Sequence, residues 1–120
     1  MNLRFDSRSP IYMQVVNKLK EEIISGEFTP GDKILSVRDF AYTLKVNPNT
    51  IQRALTNLEE EGFIITKRTS GKFVTEDLVF IKQKKKELAS LKALEYFKNM
   101  ENLGFTKEES LLNITKEGEK

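Results

Sequence analysis

Residues 46–55 read VNPNTIQRAL, and how the proline is interpreted decides the fold. Inside a helix a proline breaks the hydrogen-bond ladder, but directly after an asparagine it starts one. Asn47 offers a side-chain oxygen to a free amide, and Pro48 takes the first helical position, where a missing N–H has no intrahelical partner to lose. From there Ile51, Leu55 and Leu58, with Ala54 beside them, fall on one face at helical spacing. Asn49, Thr50, Gln52, Arg53 and Thr56 face outward or sideways. No acid occurs between Asp39 and Glu59, so this outward face is polar and free of carboxylates.

Working upstream, Ser36-Val-Arg-Asp39 starts another short helix with a hydroxyl cap and an acid three residues on, close to a capping box. Val37, Phe40, Ala41 and Leu44 form its inner side, and it ends near Lys45 with almost no linker to Asn47. Two short helices joined by so tight a turn outline a helix-turn-helix over about residues 36–61. Further upstream, Ser9-Pro10 predicts a helix with Ser9 as cap and Pro10 as first residue. Ile11, Val15, Leu19 and Ile23, with Val16 and Ile24, make its apolar stripe, and Gly26 ends it in a left-handed conformation. Thr29-Pro30-Gly31-Asp32 reads as a type II turn.

Downstream of Glu59-Glu60-Glu61-Gly62 the pattern changes to Phe63-Ile-Ile-Thr-Lys67, then Arg68-Thr-Ser-Gly71, then Lys72-Phe-Val-Thr75. This is strand, turn, strand, with Gly71 able to take a positive φ. A hairpin over about residues 63–75 directly after the second helix is a wing. From Asp77 a helix is expected again, with Ile81, Leu88, Leu91 and Leu94 as a rough apolar stripe and Lys82, Lys84, Lys85 and Lys86 in its first turns. Thr106-Lys-Glu-Glu109 is a capping box for a last short helix carrying Leu111, Leu112 and Ile114.

Composition narrows the chemistry. The chain of 120 residues is 38% hydrophobic and 32% charged, which suits one compact helix-rich domain plus an appendage. Zero cysteines and zero histidines remove disulfides, thiol and imidazole catalysis, and the usual nitrogen and sulfur metal ligands. No Gly-rich phosphate loop or nucleophile motif is present, so neither an enzyme nor a cofactor is expected. Apolar runs are short and the N-terminus lacks a secretory core, so the expected location is the cytoplasm, without a membrane partner.

A net charge of +2 says little alone, but its distribution does. Lys45 and Arg53 lie in one acid-free segment, and Lys67, Arg68 and Lys72 lie in another between Glu61 and Glu76. Reading a DNA major groove takes a helix whose first turns bear donors and acceptors for base edges, cations for phosphates, and no repelling carboxylates. Asn47, Asn49, Thr50, Gln52 and Arg53 meet that description. Each also has a plainer role: Asn47 as a cap, Gln52 and Arg53 as solvated surface, and the wing cations as charges guarding a sheet edge.

The run from Ser9 to Val74, with PIYMQ, GEFTPGDK, SVRDFA, VNPNTIQRAL, LEEEGFI and GKFV in this order, resembles the winged helix-turn-helix of the GntR family of bacterial transcription regulators. The short tail is similar to that of its YtrA-like subfamily. The fold implied is mainly α with a small β wing: a DNA-binding domain over residues 9–76 and a helical dimerisation tail over residues 77–120. The resemblance implies DNA contacts from Arg38, Asn47, Asn49, Thr50, Gln52 and Arg53, and minor-groove entry by the wing tip at Thr69, Ser70 and Gly71, with Lys67, Arg68 and Lys72 beside it. Many members of the family have proline at Leu35, arginine at Pro48 or Gln52, glycine at Thr69 and threonine at Lys72. The missing arginines put the operator sequence in doubt, since arginine to guanine is the commonest specific contact.

One head reads half a site, so the expected partner besides double-stranded DNA is a second copy, the pair reading a palindromic operator. The tail carries Leu88, Leu91, Leu94, Tyr96, Phe97, Leu103, Phe105, Leu111 and Leu112, too much apolar surface for a free arm. It either packs back as core or forms the dimer interface. The expected function is a homodimeric repressor, with a transporter operon as the kind of target that the resemblance implies. The alternative is a winged helix used for protein contact. With about forty residues after the wing, a large effector domain has no place; whether a small-molecule effector exists is open.

Overall fold

The computed structural model describes residues 3–119. The elements run α1 (Ile11–Ser25), α2 (Val37–Leu44), α3 (Pro48–Glu60), β1 (Ile64–Lys67), β2 (Gly71–Val74), α4 (Leu78–Asn102) and α5 (Lys107–Gly118). The chain divides into two compact units, one ending at Lys82 and the other beginning at Gln83. The fold class is the expected one, mainly helical with a two-stranded wing.

In the first unit α1 and α3 pack on one another, and α2 packs on α3. The core takes Val15, Val16, Leu19 and Ile23 from α1, Phe40 and Ala41 from α2, and Ile51, Ala54, Leu55 and Leu58 from α3; Ile34, Phe63, Ile64 and Val74 close it. The periodic residues of α3 are thus all buried, as spacing alone requires. Each such side chain stabilises the fold by about 1.5–3 kcal/mol relative to exposure.

Helix ends follow the local signals, with one correction. Ser36 Oγ accepts the Asp39 amide at 3.1 Å, and Asn47 Oδ1 accepts the Asn49 amide at 2.8 Å. Gly26 closes α1 with φ 89°. Pro10, however, is the N-cap and Ile11 the first helical residue: with ψ 143° Pro10 is extended, and no side chain caps the helix. Ser9 does not act as cap; its carbonyl instead accepts Gln14 Nε2 at 2.8 Å. Starting the helix one residue later leaves Ile11 at the open end of the stripe, exposed.

The wing is antiparallel, pairing Ile64 with Val74 and Lys67 with Gly71. Phe63 and Thr75, expected inside the strands, flank them, with the Thr75 amide donating to the Phe63 carbonyl at 3.0 Å. The expected type II turn is present, with Gly31 at φ 86° and the Asp32 amide donating to the Thr29 carbonyl at 3.0 Å. The residues just after it lie along β2: the Ile34 amide donates to the Lys72 carbonyl at 2.9 Å, and the Val74 amide to the Asp32 carbonyl at 2.8 Å. Periodicity could not show this third edge, because it involves one isolated bridge, Lys33 with Phe73.

The second unit holds most of α4 and all of α5. Both reciprocal bonds of the Thr106–Glu109 capping box form. Tyr96 Oη donates to the Ser110 carbonyl at 2.7 Å, and the Tyr96 and Phe97 rings meet edge to face at 5.5 Å. Leu91, Leu94, Leu103, Phe105, Leu111, Leu112 and Ile114 are exposed in the single chain. α4 buries none of its residues, so its rough stripe forms no core of its own. Among the described residues no helix is long and apolar enough to cross a membrane, and no cluster of acids is placed to hold a metal ion.

Candidate nucleic-acid interface

Because Ile51, Ala54, Leu55 and Leu58 hold α3 by its inner side, the opposite side stands out: Asn49, Gln52, Arg53 and Thr56 are exposed, and Thr50 is half-buried. Asn47 uses its oxygen on the Asn49 amide, so capping is its role within the chain, and its side-chain amide N–H groups remain to donate. Gln52 Nε2 donates to Thr56 Oγ1 at 3.1 Å, one turn on. Arg53 lies with its guanidinium carbon 3.8 Å from the centre of the Tyr12 ring.

The approach of α2 to α3 depends on Lys45, whose φ of 57° puts it in the left-handed region; Lys45 and Val46 both donate their amides to the Ala41 carbonyl. A non-glycine residue there is uncommon and strained. The chain turns sharply because of it, which sets Arg38, exposed on the first turn of α2, in the same helix-turn-helix as Asn47 and Asn49.

On the wing, Arg68, Thr69, Ser70 and Gly71 are exposed. The Ser70 amide donates to the Lys67 carbonyl at 3.1 Å, and Gly71 takes φ 108°, which tightens the tip. Lys67 Nζ lies 4.6 Å from the centre of the Phe73 ring. Lys72 faces elsewhere. Its ammonium donates to Glu59 Oε2 and to Thr66 Oγ1, each at 2.9 Å, and Thr66 Oγ1 donates to Glu59 Oε1 at 2.8 Å. The Lys72 hydrogen bond, with that of Thr66 second, holds the Glu59 carboxyl below its usual range. The geometry therefore joins Lys72 to the end of α3 and leaves the other wing residues at the tip free to meet a duplex.

The same arrangement accounts for two of the three consecutive acids at the end of α3, while the third, Glu60, is exposed at the end of the helix far from Asn47. Glu59 is neutralised by Lys72, and Glu61 pairs with Lys20 of α1 at 2.8 Å. The sequence puts these acids more than ten residues past Asn47, but their partners on α1 and the wing are not legible in it. Thr66 and Lys72 are cross-strand neighbours, a pairing that the hairpin register implies. Tyr12 was also missed; the only sign was an aromatic residue one position outside the core stripe of α1.

With Pro10, Ile11, Asn49 and Thr50, Tyr12 and Arg53 line a shallow depression of about 400 Å³ beside the start of α3. No acid lines it. The surface as a whole presents amide and hydroxyl groups, backed by cations, from α2, α3 and the wing tip. Such groups can donate to phosphates and both donate to and accept from base edges.

Comparison with known proteins shows the family of the fold that carries this surface. Residues 11–74 match the family described as "Bacterial regulatory proteins, gntR family". The HTH-type transcriptional regulator YhcF of Bacillus subtilis is 39% identical over 114 residues, spanning 95% of this chain and 94% of the relative. The HTH-type transcriptional repressor YtrA of the same organism is 42% identical over 77 residues, 62% of this chain and 59% of its own length. A solved structure of a regulator from Listeria monocytogenes superposes with a TM-score of 0.85 at 42% identity, covering 93% of this chain and 98% of that one.

Proposed function

Because the chain belongs to the GntR family of bacterial regulatory proteins and carries a DNA-binding winged helix, we propose that it acts as a homodimeric repressor on a palindromic operator. The observation that carries the DNA part is the acid-free outward face of α3 from Pro48 to Leu58, with Asn49, Gln52 and Arg53 exposed on it, next to an exposed wing tip. In this reading α3 lies in the major groove, Arg38 meets the backbone, and Thr69, Ser70 and Gly71 approach the minor groove.

Dimerisation is supported by the second unit. Seven large apolar side chains stand exposed there or at its turn, Leu112 at 71% and Leu103 at 72%. A second copy would cover them. Two joined heads then add their binding energies on half-sites about one helical turn apart, which a single head with mainly phosphate attraction does not achieve. Repression, by occlusion of polymerase at the operator, is supported by the name of the similar YtrA. The regulated genes are proposed to be a transporter operon, on the YtrA-like resemblance alone.

The test is selection of bound sequences from a random duplex pool with the purified chain, together with its mass in solution. An inverted repeat and a dimer mass are expected. A stable monomer, or no enrichment at low salt, would overturn the proposal.

A further inference from the structure

We propose that Tyr12 is a positioning residue for Arg53, holding its guanidinium on the α1 side of α3, where it takes a DNA backbone phosphate. This rests on the DNA-binding reading above. Tyr12 is half-buried, one turn before the buried pair Val15 and Val16, so the core on which α1 is seated fixes its ring. The guanidinium carbon lies 3.8 Å from the ring centre. A stacked guanidinium satisfies its face against the ring, while its five N–H donors lie in its own plane and point outward from the stack. Among the described residues no carboxylate or carbonyl engages those donors. An arginine fully used in holding the fold would have them bonded.

The phosphate assignment follows from where the stack draws the guanidinium. Successive residues of an α-helix turn by about 100°, so Arg53 lies close to Asn49 near the outward centre line of α3, on the Thr50 side of it, while Gln52 and Glu59 fall on the opposite flank. Stacking on Tyr12 draws the Arg53 guanidinium off that line to the Thr50 flank. Glu59 meets the wing through Lys72 and Thr66, so the Thr50 flank is the one away from the wing and beside α1. A helix lying in the major groove presents its central line to base edges and its flanks to the bordering strands. The depression at this flank is lined by Pro10, Ile11, Tyr12, Asn49, Thr50 and Arg53, so no acid among its lining residues opposes an anion there. The stack also limits the rotamers of Arg53 before DNA arrives, which removes part of the ordering cost of binding.

The experiment is a double-mutant cycle in the full chain, read as affinity and salt slope on two duplexes, one selected by the wild-type chain and one unrelated of equal length. Tyr12→Phe keeps the ring and should bind as the wild type. Tyr12→Leu removes it and should weaken binding to both duplexes by about fivefold per head, the scale of an exposed cation–π contact, leaving their ratio unchanged. Arg53→Ala should lower the salt slope by about one phosphate per head, and in that background Tyr12→Leu should have no further effect. Thermal unfolding of each variant checks folding, and Tyr12→Met replaces Tyr12→Leu in the cycle if leucine unfolds the chain.

A loss from Tyr12→Leu that persists without Arg53, no loss at all, or a loss equal to that of Tyr12→Phe overturns the assignment. So does a loss confined to the selected duplex, which would place Arg53 on a base. If the wild-type chain binds neither duplex, the DNA-binding reading itself falls. If it binds and the two residues prove additive, only the role of Tyr12 falls.

Discussion

Replacing Glu59 by glutamine separates two roles for Lys72 that a sequence treats alike. Lys72 Nζ lies 2.9 Å from Glu59 Oε2, with the Lys72 side chain 22% and the Glu59 side chain 40% exposed. A pair so open to water is screened, and its net worth is about 0.5–1 kcal/mol, well below that of a buried charged hydrogen bond. For a unit of this size about 1 kcal/mol corresponds to a melting shift of about 4–8 °C, so a drop of about 2–8 °C is expected for Glu59→Gln and a similar one for Lys72→Ala. Made together, the two substitutions should cost little more than either alone, because each removes the same contact.

The acid side of the curve gives a second readout. The folded-state pKa of Glu59 is lowered, first by Lys72 and then by Thr66, so its contribution is fully present above the unfolded pKa and is lost as pH falls through the folded one. Wild type should therefore lose more stability than Glu59→Gln between neutral pH and the acid end of the carboxylate range, and the two melting curves should converge there. The assay is thermal unfolding against pH, with DNA affinity measured against salt on the same variants. Additive melting shifts would refute the pairing. A salt slope lowered by about one in Lys72→Ala but unchanged in Glu59→Gln would show that Lys72 meets a phosphate instead.

Three further outcomes are expected. Lys45→Gly should raise the unfolding free energy by about 0.5–1 kcal/mol, since glycine adopts the φ of 57° without strain, whereas Lys45→Val should lower it; equal stability of both variants would count against strain at this turn. Arg38→Ala should weaken binding to selected and unrelated duplexes about equally and leave urea unfolding unchanged, because the side chain is exposed; an altered base preference would place it on a base edge. Leu94→Glu, at a side chain 65% exposed, should shift the sedimenting species from dimer toward monomer while the winged unit keeps its melting transition, and an unchanged mass would remove this residue from the interface.

Much of this protein was legible in short windows of its sequence. Asn47 and Pro48 start α3, Ser36 caps α2, Thr106 and Glu109 box α5, and Gly26 and Gly71 take positive φ, because each of these depends on groups within a few residues of one another. The period of Ile51, Leu55 and Leu58 likewise determined which side of α3 was left for function. The Ser9-Pro10 signal failed by one residue, since a proline φ suits either the cap or the first helical position, and the choice here goes with Gln14 holding the Ser9 carbonyl. What only the tertiary structure decided are the pairings between distant segments: Tyr12 under Arg53, Lys20 on Glu61, Lys33 beside Phe73, and Lys72 turned from the wing onto Glu59. Local propensity cannot encode these, because they arise when the fold brings α1 and the wing against α3 and the stretch around Lys33 against β2, joining side chains that no helical or strand period relates.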